Sequence, residues 1–300
     1  MPPRPATVLV AGATGTVGSR VVEALPRRAP AARIVRGTRA PAGPDDRAFD
    51  LTDPAGVAAA LGEVDAAFLM LPPGLPNAGD RFGAALARVP VGRLPYVAFL
   101  SVQGADQRSF LPHAHVERAL RARAAREPGL PRFAFLRPAY FMQNLETAFG
   151  RDIRERAELV APLGRARLVW IDAADVARAA AVVLANPAPH AGHAYALTGA
   201  DRAGFAEVAS LLTRALGYAV TYRSPHPLAY FLRLRRRGVA AGRAAAQTAI
   251  HFAERFTADA PQTPDYELLT GRRPTSLTDY VARAFGESTR EPPPRAAGTR

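Results

Sequence analysis

Thr7-Val8-Leu9-Val10-Ala11-Gly12-Ala13-Thr14-Gly15-Thr16-Val17-Gly18 runs an apolar segment of strand length straight into a Gly-x-x-Gly-x-x-Gly pattern. Thr7 to Ala11 reads as a buried parallel strand, and Thr16 to Leu25 as the helix that follows, stopped by Pro26. In that strand-to-helix setting each glycine has a separate reason. Gly12 permits the tight turn, Gly15 lets the backbone approach a pyrophosphate, and Gly18 lets the helix pack closely on the strand. Thr14, Thr16 and Val17 lie between them, and the N–H groups at the positive end of the helix suit an anion.

Working outward, strands and helices alternate at intervals of roughly 20–35 residues, the rhythm of a doubly wound parallel sheet. Strands are expected at 33–36, 65–71, 96–100 and 133–136, with helices at 57–61, 80–88 and 113–126. Beyond about residue 145 the rhythm changes. Strands are expected at 168–171 and 194–197, and helices at 173–184, 204–216, 225–254 and 277–285. The Pro-rich end, 287–300, reads as disordered.

The end of the second strand reports cofactor choice. A dinucleotide fold that takes NAD places Asp or Glu there to hold the ribose 2′-OH. Here the segment is Arg36-Gly-Thr-Arg39, with no carboxylate until Asp45. A guanidinium can grip a 2′-phosphate that a carboxylate would repel, so NADPH/NADP+ is expected, with Arg36 and Arg39 at the phosphate. Asp50 and Leu51 follow a third short strand at the adenine edge. Leu71 and Pro72, at the end of the fourth, should face the middle of the cofactor.

Composition removes other chemistries. The 300 residues carry a net charge of +13, all 39 cations are Arg, and there is no Lys and no Cys. That excludes a Schiff-base or P-loop lysine, a thiolate nucleophile, disulfides and Cys-ligated zinc. The six His are too dispersed for a metal site, and His190-x-x-His193 reads as a turn, so no metal is expected. No apolar run approaches the ~20 residues of a membrane helix. Met1-Pro-Pro-Arg-Pro lacks the apolar core of a signal peptide, so the expectation is a cytoplasmic protein off the membrane. The basic excess is uneven. Between Glu207 and Glu254 there is no carboxylate but seven Arg, at 214, 223, 233, 235, 236, 237 and 243. The Arg and Ala bias resembles GC-rich coding, so this segment is expected to be a solvated face, or else the rim of an anionic ligand, rather than a nucleic-acid surface.

Gly12-Ala-Thr-Gly-Thr-Val-Gly18, Phe99-Leu-Ser-Val-Gln-Gly104, Leu136-Arg-Pro-Ala-Tyr-Phe-Met-Gln-Asn144, Trp170-Ile-Asp-Ala-Ala-Asp-Val-Ala177 and Tyr195-Ala-Leu-Thr-Gly199 together resemble the NmrA-like branch of the atypical short-chain dehydrogenase/reductases. The similarity runs from about Val8 to Phe285. It implies an α/β protein: a Rossmann-like NADP-binding domain over 1–150, with parts of 165–200 returning to it, and a smaller C-terminal α/β substrate-binding or lid region over 151–286. It also implies a cleft between them. The family mixes NADPH-dependent reductases with catalytically silent NADP(H)-sensing regulators that bind a protein partner.

In the wider superfamily, reductases use Ser, Tyr and a Lys four residues after the Tyr. Here Ser101 stands at the serine position, His113 falls about where the Tyr would, and Glu117 replaces the Lys. His113 and Glu117 are one helical turn apart, where a carboxylate can orient an imidazole and raise its pKa. The expected chemistry is hydride transfer from NADPH, with Ser101 bonding the developing oxyanion and His113 supplying the proton. His115, water and the substrate itself remain open as proton sources. Gln103, Tyr140, Phe141, Met142 and Asn144 are expected to line the substrate site, with Tyr230 and Phe231 on a lid helix. The expected substrate is a fairly large apolar or aromatic carbonyl compound or quinone, and the expected role is that of a ketoreductase of secondary metabolism such as antibiotic biosynthesis. Monomer and homodimer remain open.

Overall fold

The computed structural model describes residues 5–286, apart from 73, 74, 76, 128, 130, 131 and 257–260. The expected disordered end, 287–300, lies outside the described residues. The chain forms two compact units. The first comprises 1–139, 173–198 and 263–273, and the second 140–172, 199–262 and 274–300. The chain thus leaves the first unit at Ala139, earlier than residue 150, and returns to it twice.

The first unit is built on seven parallel strands: β1 (Thr7–Ala11), β2 (Arg33–Thr38), β3 (Asp46–Ala48), β4 (Ala66–Met70), β5 (Tyr96–Leu100), β6 (Phe133–Pro138) and β10 (Ala194–Leu197). Their order is β10-β6-β5-β4-β1-β2-β3. Two-residue periodicity puts Leu9 and Ala11, Ala67 and Leu69, Val97 and Phe99, and Phe133 and Phe135 on one face. That face packs under α2 (Pro54–Gly62), α3 (Ala78–Arg88) and α4 (Pro112–Ala124) through Val57, Leu61, Phe82, Leu86, Val116 and Leu120. α1 (Gly18–Ala24) packs against α7 (Ala173–Ala185), whose Ala-rich surface is almost wholly buried and lies on β4, β5 and β6. Small side chains are what allow a helix to sit that close to a sheet. α11 (Asp265–Thr270) completes the unit on β10, with Asp265 accepting from the Ala196 N–H at 2.7 Å.

The second unit contains β7 (Tyr140–Phe141), β8 (Glu158–Val160), β9 (Arg167–Ile171), β11 (Arg202–Gly204) and β12 (Thr221–Arg223). β9 is the middle of a three-stranded sheet, parallel to β7 and antiparallel to β11, while β8 and β12 pair in parallel. Its helices are α5 (Asn144–Thr147), α6 (Gly150–Arg156), α8 (Phe205–Leu216), α9 (Pro227–Arg236), α10 (Ala241–Ala253) and α12 (Leu277–Phe285). α8 and α12 turn helical stripes inward, Phe205, Val208 and Leu212 from one and Leu277, Tyr280 and Val281 from the other. They close over Trp170, which is 0% exposed and donates from Nε1 to the Ala203 carbonyl at 2.9 Å. Gly199 is needed beside it: a Cβ there would lie 2.0 Å from the Trp170 carbonyl oxygen.

The mostly helical stretch expected across 225–254 is made of two helices, α9 and α10. Gly238 takes φ +79, and the chain turns between Arg237 and Ala240. Among the described residues no helix is long and apolar enough to cross a membrane, and no group of three His, Cys, Asp or Glu could hold a metal ion.

Candidate active site

The glycine turn has the geometry the sequence implies. Gly12 takes φ +64, a left-handed conformation that side chains disfavour. A Cβ on Gly18 would sit 2.1 Å from the Gly12 carbonyl oxygen, so α1 can approach β1 only with glycine there. Thr14, Gly15 and Thr16 are exposed. Val17 gives α1 no side-chain cap, and its first turn holds no carboxylate. The free N–H groups of such a turn fit a pyrophosphate, and the cradle therefore suits the dinucleotide expected from the sequence.

The two arginines near β2 differ. Arg36 is exposed but already paired, its Nε 2.7 Å from Asp46 Oδ1. Asp46 is itself kept below the usual carboxylate range, first by the Ala42 N–H and also by Arg36. Arg36 is thus engaged by a neighbouring strand, and Arg39, also exposed but without such an ion pair among the described residues, is the better placed of the two to reach a phosphate. Asp50 accepts from the Thr52 N–H at 2.9 Å, which holds its pKa down, and the charge of Arg39 adds to this. Leu51 and Leu71 are buried in the sheet core, so either can meet a ligand chiefly through its backbone, while Pro72 is half-buried.

Ser101, at the end of β5, is 3% exposed, and its hydroxyl donates to Glu117 Oε1 at 2.6 Å. Glu117 on α4 is 1% exposed. Arg137 of β6 grips it with two bonds, Nε to Oε1 at 2.9 Å and Nη2 to Oε2 at 2.7 Å, and Arg121 adds a third at 3.1 Å. Arg137 also reaches Asp106 at 3.0 Å. Burial works against the Glu117 charge, but the Arg137 bonds, the Ser101 hydroxyl and both guanidinium charges outweigh it and hold the carboxyl below its usual range.

This arrangement corrects the expected roles. Glu117 bonds Ser101, Arg137 and Arg121, and no bond to His113 accompanies them. His113 lies beside the Phe99 ring, with centroids 6.2 Å apart. Burial lowers its pKa, and the opposing charge of Glu117 does not overcome this, so the imidazole is neutral near pH 7 rather than held protonated. His115 faces elsewhere: its Nδ1 is 3.2 Å from Asp80 of α3. Sequence reasoning missed Arg137. The signal was an arginine inside an apolar strand, Phe135-Leu-Arg-Pro138, since a buried guanidinium requires a carboxylate partner.

Of the expected substrate residues, Gln103 alone belongs to the first unit, where its N–H donates to the Pro138 carbonyl. Tyr140 packs edge-on against Trp170 at 4.9 Å, and Met142 is buried in the same core. Phe141 and Asn144 are half-buried. The lid reading of 230–231 is corrected. Tyr230 is 2% exposed and points inward, its hydroxyl 3.4 Å from His251 Nδ1 and accepting from Gln247 at 3.1 Å. Helical spacing explains it: Tyr230 and Leu234 share the inward face of α9, and Phe231 packs at its edge. Burial pushes Tyr230 up to about 12 and His251 down to about 4.

The profile of the NmrA-like family matches residues 4–233. The chain is 34% identical over 229 residues to an NAD(P)H azoreductase from Xenophilus azovorans, covering 72% of this chain and 76% of the azoreductase. It is 30% identical over 290 residues to a (4-alkanoyl-5-oxo-2,5-dihydrofuran-3-yl)methyl phosphate reductase from Streptomyces griseus, covering 92% of this chain and 96% of that one. Among solved structures, an NADPH-dependent quinone oxidoreductase from Escherichia coli, complexed with NADPH, superposes with TM-score 0.80 at 23% identity, covering 93% of this chain and 99% of that one. Profile, relatives and fold agree, and the chain belongs to the NmrA-like family.

Proposed function

We propose that this chain is an NADPH-dependent reductase that delivers hydride to a conjugated, fairly large apolar or aromatic acceptor of quinone type. The observation that carries the reading is the state of Ser101. Its proton is already donated to Glu117, and Glu117 is saturated by two arginines. With no Lys in the chain, no Tyr–Lys pair can replace it. The protein therefore lacks a ready relay for protonating a localised alkoxide.

The Gly12–Gly18 turn would hold NADPH, which when bound would supply the hydride, two electrons and one proton. A quinone that accepts it becomes a hydroquinone anion, delocalised over the ring, and one further proton from water completes the product. An isolated ketone gains no such delocalisation and depends more on a positioned acid. The chain's own part is to seat the pyrophosphate on the turn N–H groups, to grip the 2′-phosphate with Arg39, and to keep the end of β5 rigid through Ser101, Glu117 and Arg137. Neutral His113 can still donate a hydrogen bond from one ring nitrogen, without releasing its proton readily. Relatives named as an azoreductase and a quinone oxidoreductase support acceptors other than simple ketones.

The test is NADPH oxidation with a naphthoquinone, an azo dye and an unconjugated aryl ketone. The quinone should turn over fastest and the ketone slowest. Faster reduction of the ketone would overturn the quinone-type reading in favour of a ketoreductase of secondary metabolism. The committed Ser101 proton also favours a second reading, a silent NADP(H) sensor that binds a protein partner. Tight NADPH binding without turnover on any acceptor would select it.

A further inference from the structure

α9 has two working faces. Tyr230 and Leu234 point into the core of the second unit, while Ala229, Arg233 and Arg236, spaced i, i+4, i+7, share the next face. That second face walls an open cavity of about 600 Å³, lined also by Arg156, Val160, Arg223, Ser224, Pro225 and Arg237. Ala229 leaves room where a longer side chain would fill the space.

The charges around this cavity do not balance. Arg237 is bound to Asp152, Arg233 bridges Asp152 at 3.2 Å and Glu158 at 2.9 Å, and Arg223 meets Glu158 at 3.0 Å. Five guanidinium groups thus meet two carboxylates, an excess of three positive charges among the described residues. The side chains of Arg156 and Arg236 have no hydrogen-bond or ion-pair partner among the described residues. The Nε–H of Arg233 is buried and has no acceptor. Burial, and after it the charge of Arg151, disfavours the Arg237 cation, a cost that a bound anion would offset. A folded protein does not usually gather like charges around a concave wall, because their repulsion has no compensation.

From this juxtaposition of a cavity, unpartnered arginines and an unmet buried donor, we propose that the cavity of the second unit binds a phosphate-class oxyanion, either free or as the phosphate monoester end of a small molecule. Asp152 and Glu158 hold Arg223, Arg233 and Arg237 as a fixed wall. Arg156 and Arg236 supply the movable grip, since guanidinium forks match phosphate oxygens in pairs. The site binds without reacting, so it stands independently of the hydride-transfer reading.

The experiment is calorimetric titration of the full chain with inorganic phosphate and with phenyl phosphate, benzyl alcohol serving as the uncharged control. Both phosphates should bind saturably and benzyl alcohol should not. Arg236→Ala and Arg156→Ala should each weaken phosphate binding roughly tenfold, the worth of a charge-assisted hydrogen bond. Tighter binding of phenyl phosphate than of inorganic phosphate identifies a monoester as the source, and equal binding identifies the free ion. NADPH affinity, followed by fluorescence on the same variants, should stay within about twofold, because each tenfold step requires about 1.4 kcal/mol. No saturable phosphate binding, binding indifferent to both substitutions, or a parallel loss of NADPH affinity would each overturn the proposal. So would phosphate binding outcompeted by duplex DNA with a steep salt dependence, which would make the arginines a nucleic-acid surface.

Discussion

Around Glu117, two arginines face two carboxylates, and the central pair, Glu117 and Arg137, is almost hidden from water. Around Asp152, five arginines face two carboxylates, and Arg156, Arg223 and Arg236 stand exposed. The same side chain does different work in the two places. In the first cluster every charge is spent inside the fold, so arginine there orders the ends of β5 and β6. In the second the surplus is free to act on something external. Stoichiometry and burial separate the two, and neither can be counted along the chain.

The largest expected effect follows from breaking the balanced cluster. Glu117→Ala leaves Arg137 buried without its main partner and should cost about 3–5 kcal/mol, measured by urea unfolding. Replacing both members by leucine should recover most of that loss. A loss under about 1 kcal/mol in the single variant would show that water reaches the cluster and that the contrast between the two regions is false.

The next effect is a pH dependence. His251 is 4% exposed, with burial taking it from an ordinary 6.5 to about 4. Its folded value is depressed, so its contribution is fully present above pH 6.5 and is lost as the pH falls toward 4. The size is about 3 kcal/mol across that window. Glu117 is depressed likewise, and its contribution disappears at still lower pH, below the usual carboxylate range. His251→Phe should flatten the upper window and leave the lower one. Unchanged curvature between pH 6.5 and 4 would remove His251 from the account.

A third arginine tests the middle ground. Arg39 is exposed like Arg236 but is assigned to a cofactor phosphate. Arg39→Asp should raise the KM for NADPH by roughly ten- to a hundredfold relative to NADH, about 1.5–3 kcal/mol. An unchanged preference would return Arg39 to the solvated surface. The smallest effect should come from Arg236→Ala on stability. With no internal partner to lose, it should shift unfolding by less than about 0.5 kcal/mol, in contrast to Glu117→Ala.

Much of the fold was legible because it is local. β5 at 96–100 and α12 at 277–285 coincide with the spans expected from apolar patterning, and the glycine turn follows from the absence of side chains at 12 and 18. Three things were not legible. The partner of Glu117 lies twenty residues away on strand β6, so the i, i+4 spacing within α4 pointed to His113 when the stronger donor was Arg137. The inward turn of Tyr230 depends on where α9 starts, which Pro227 sets. The grouping of Arg156 with 223–237 arises because β12 pairs with β8, a contact that no local pattern announces.

Trp170 is the single tryptophan of the chain and lies wholly inside the core of the second unit. Its emission is therefore a label that needs no chemistry and reports that unit alone, since no indole exists in the first. Followed beside far-ultraviolet circular dichroism, which records both units, it can tell whether they melt together or one after the other. In the Glu117→Ala protein, damaged only in the first unit, the two signals should separate if the units unfold independently and stay superimposed if they do not.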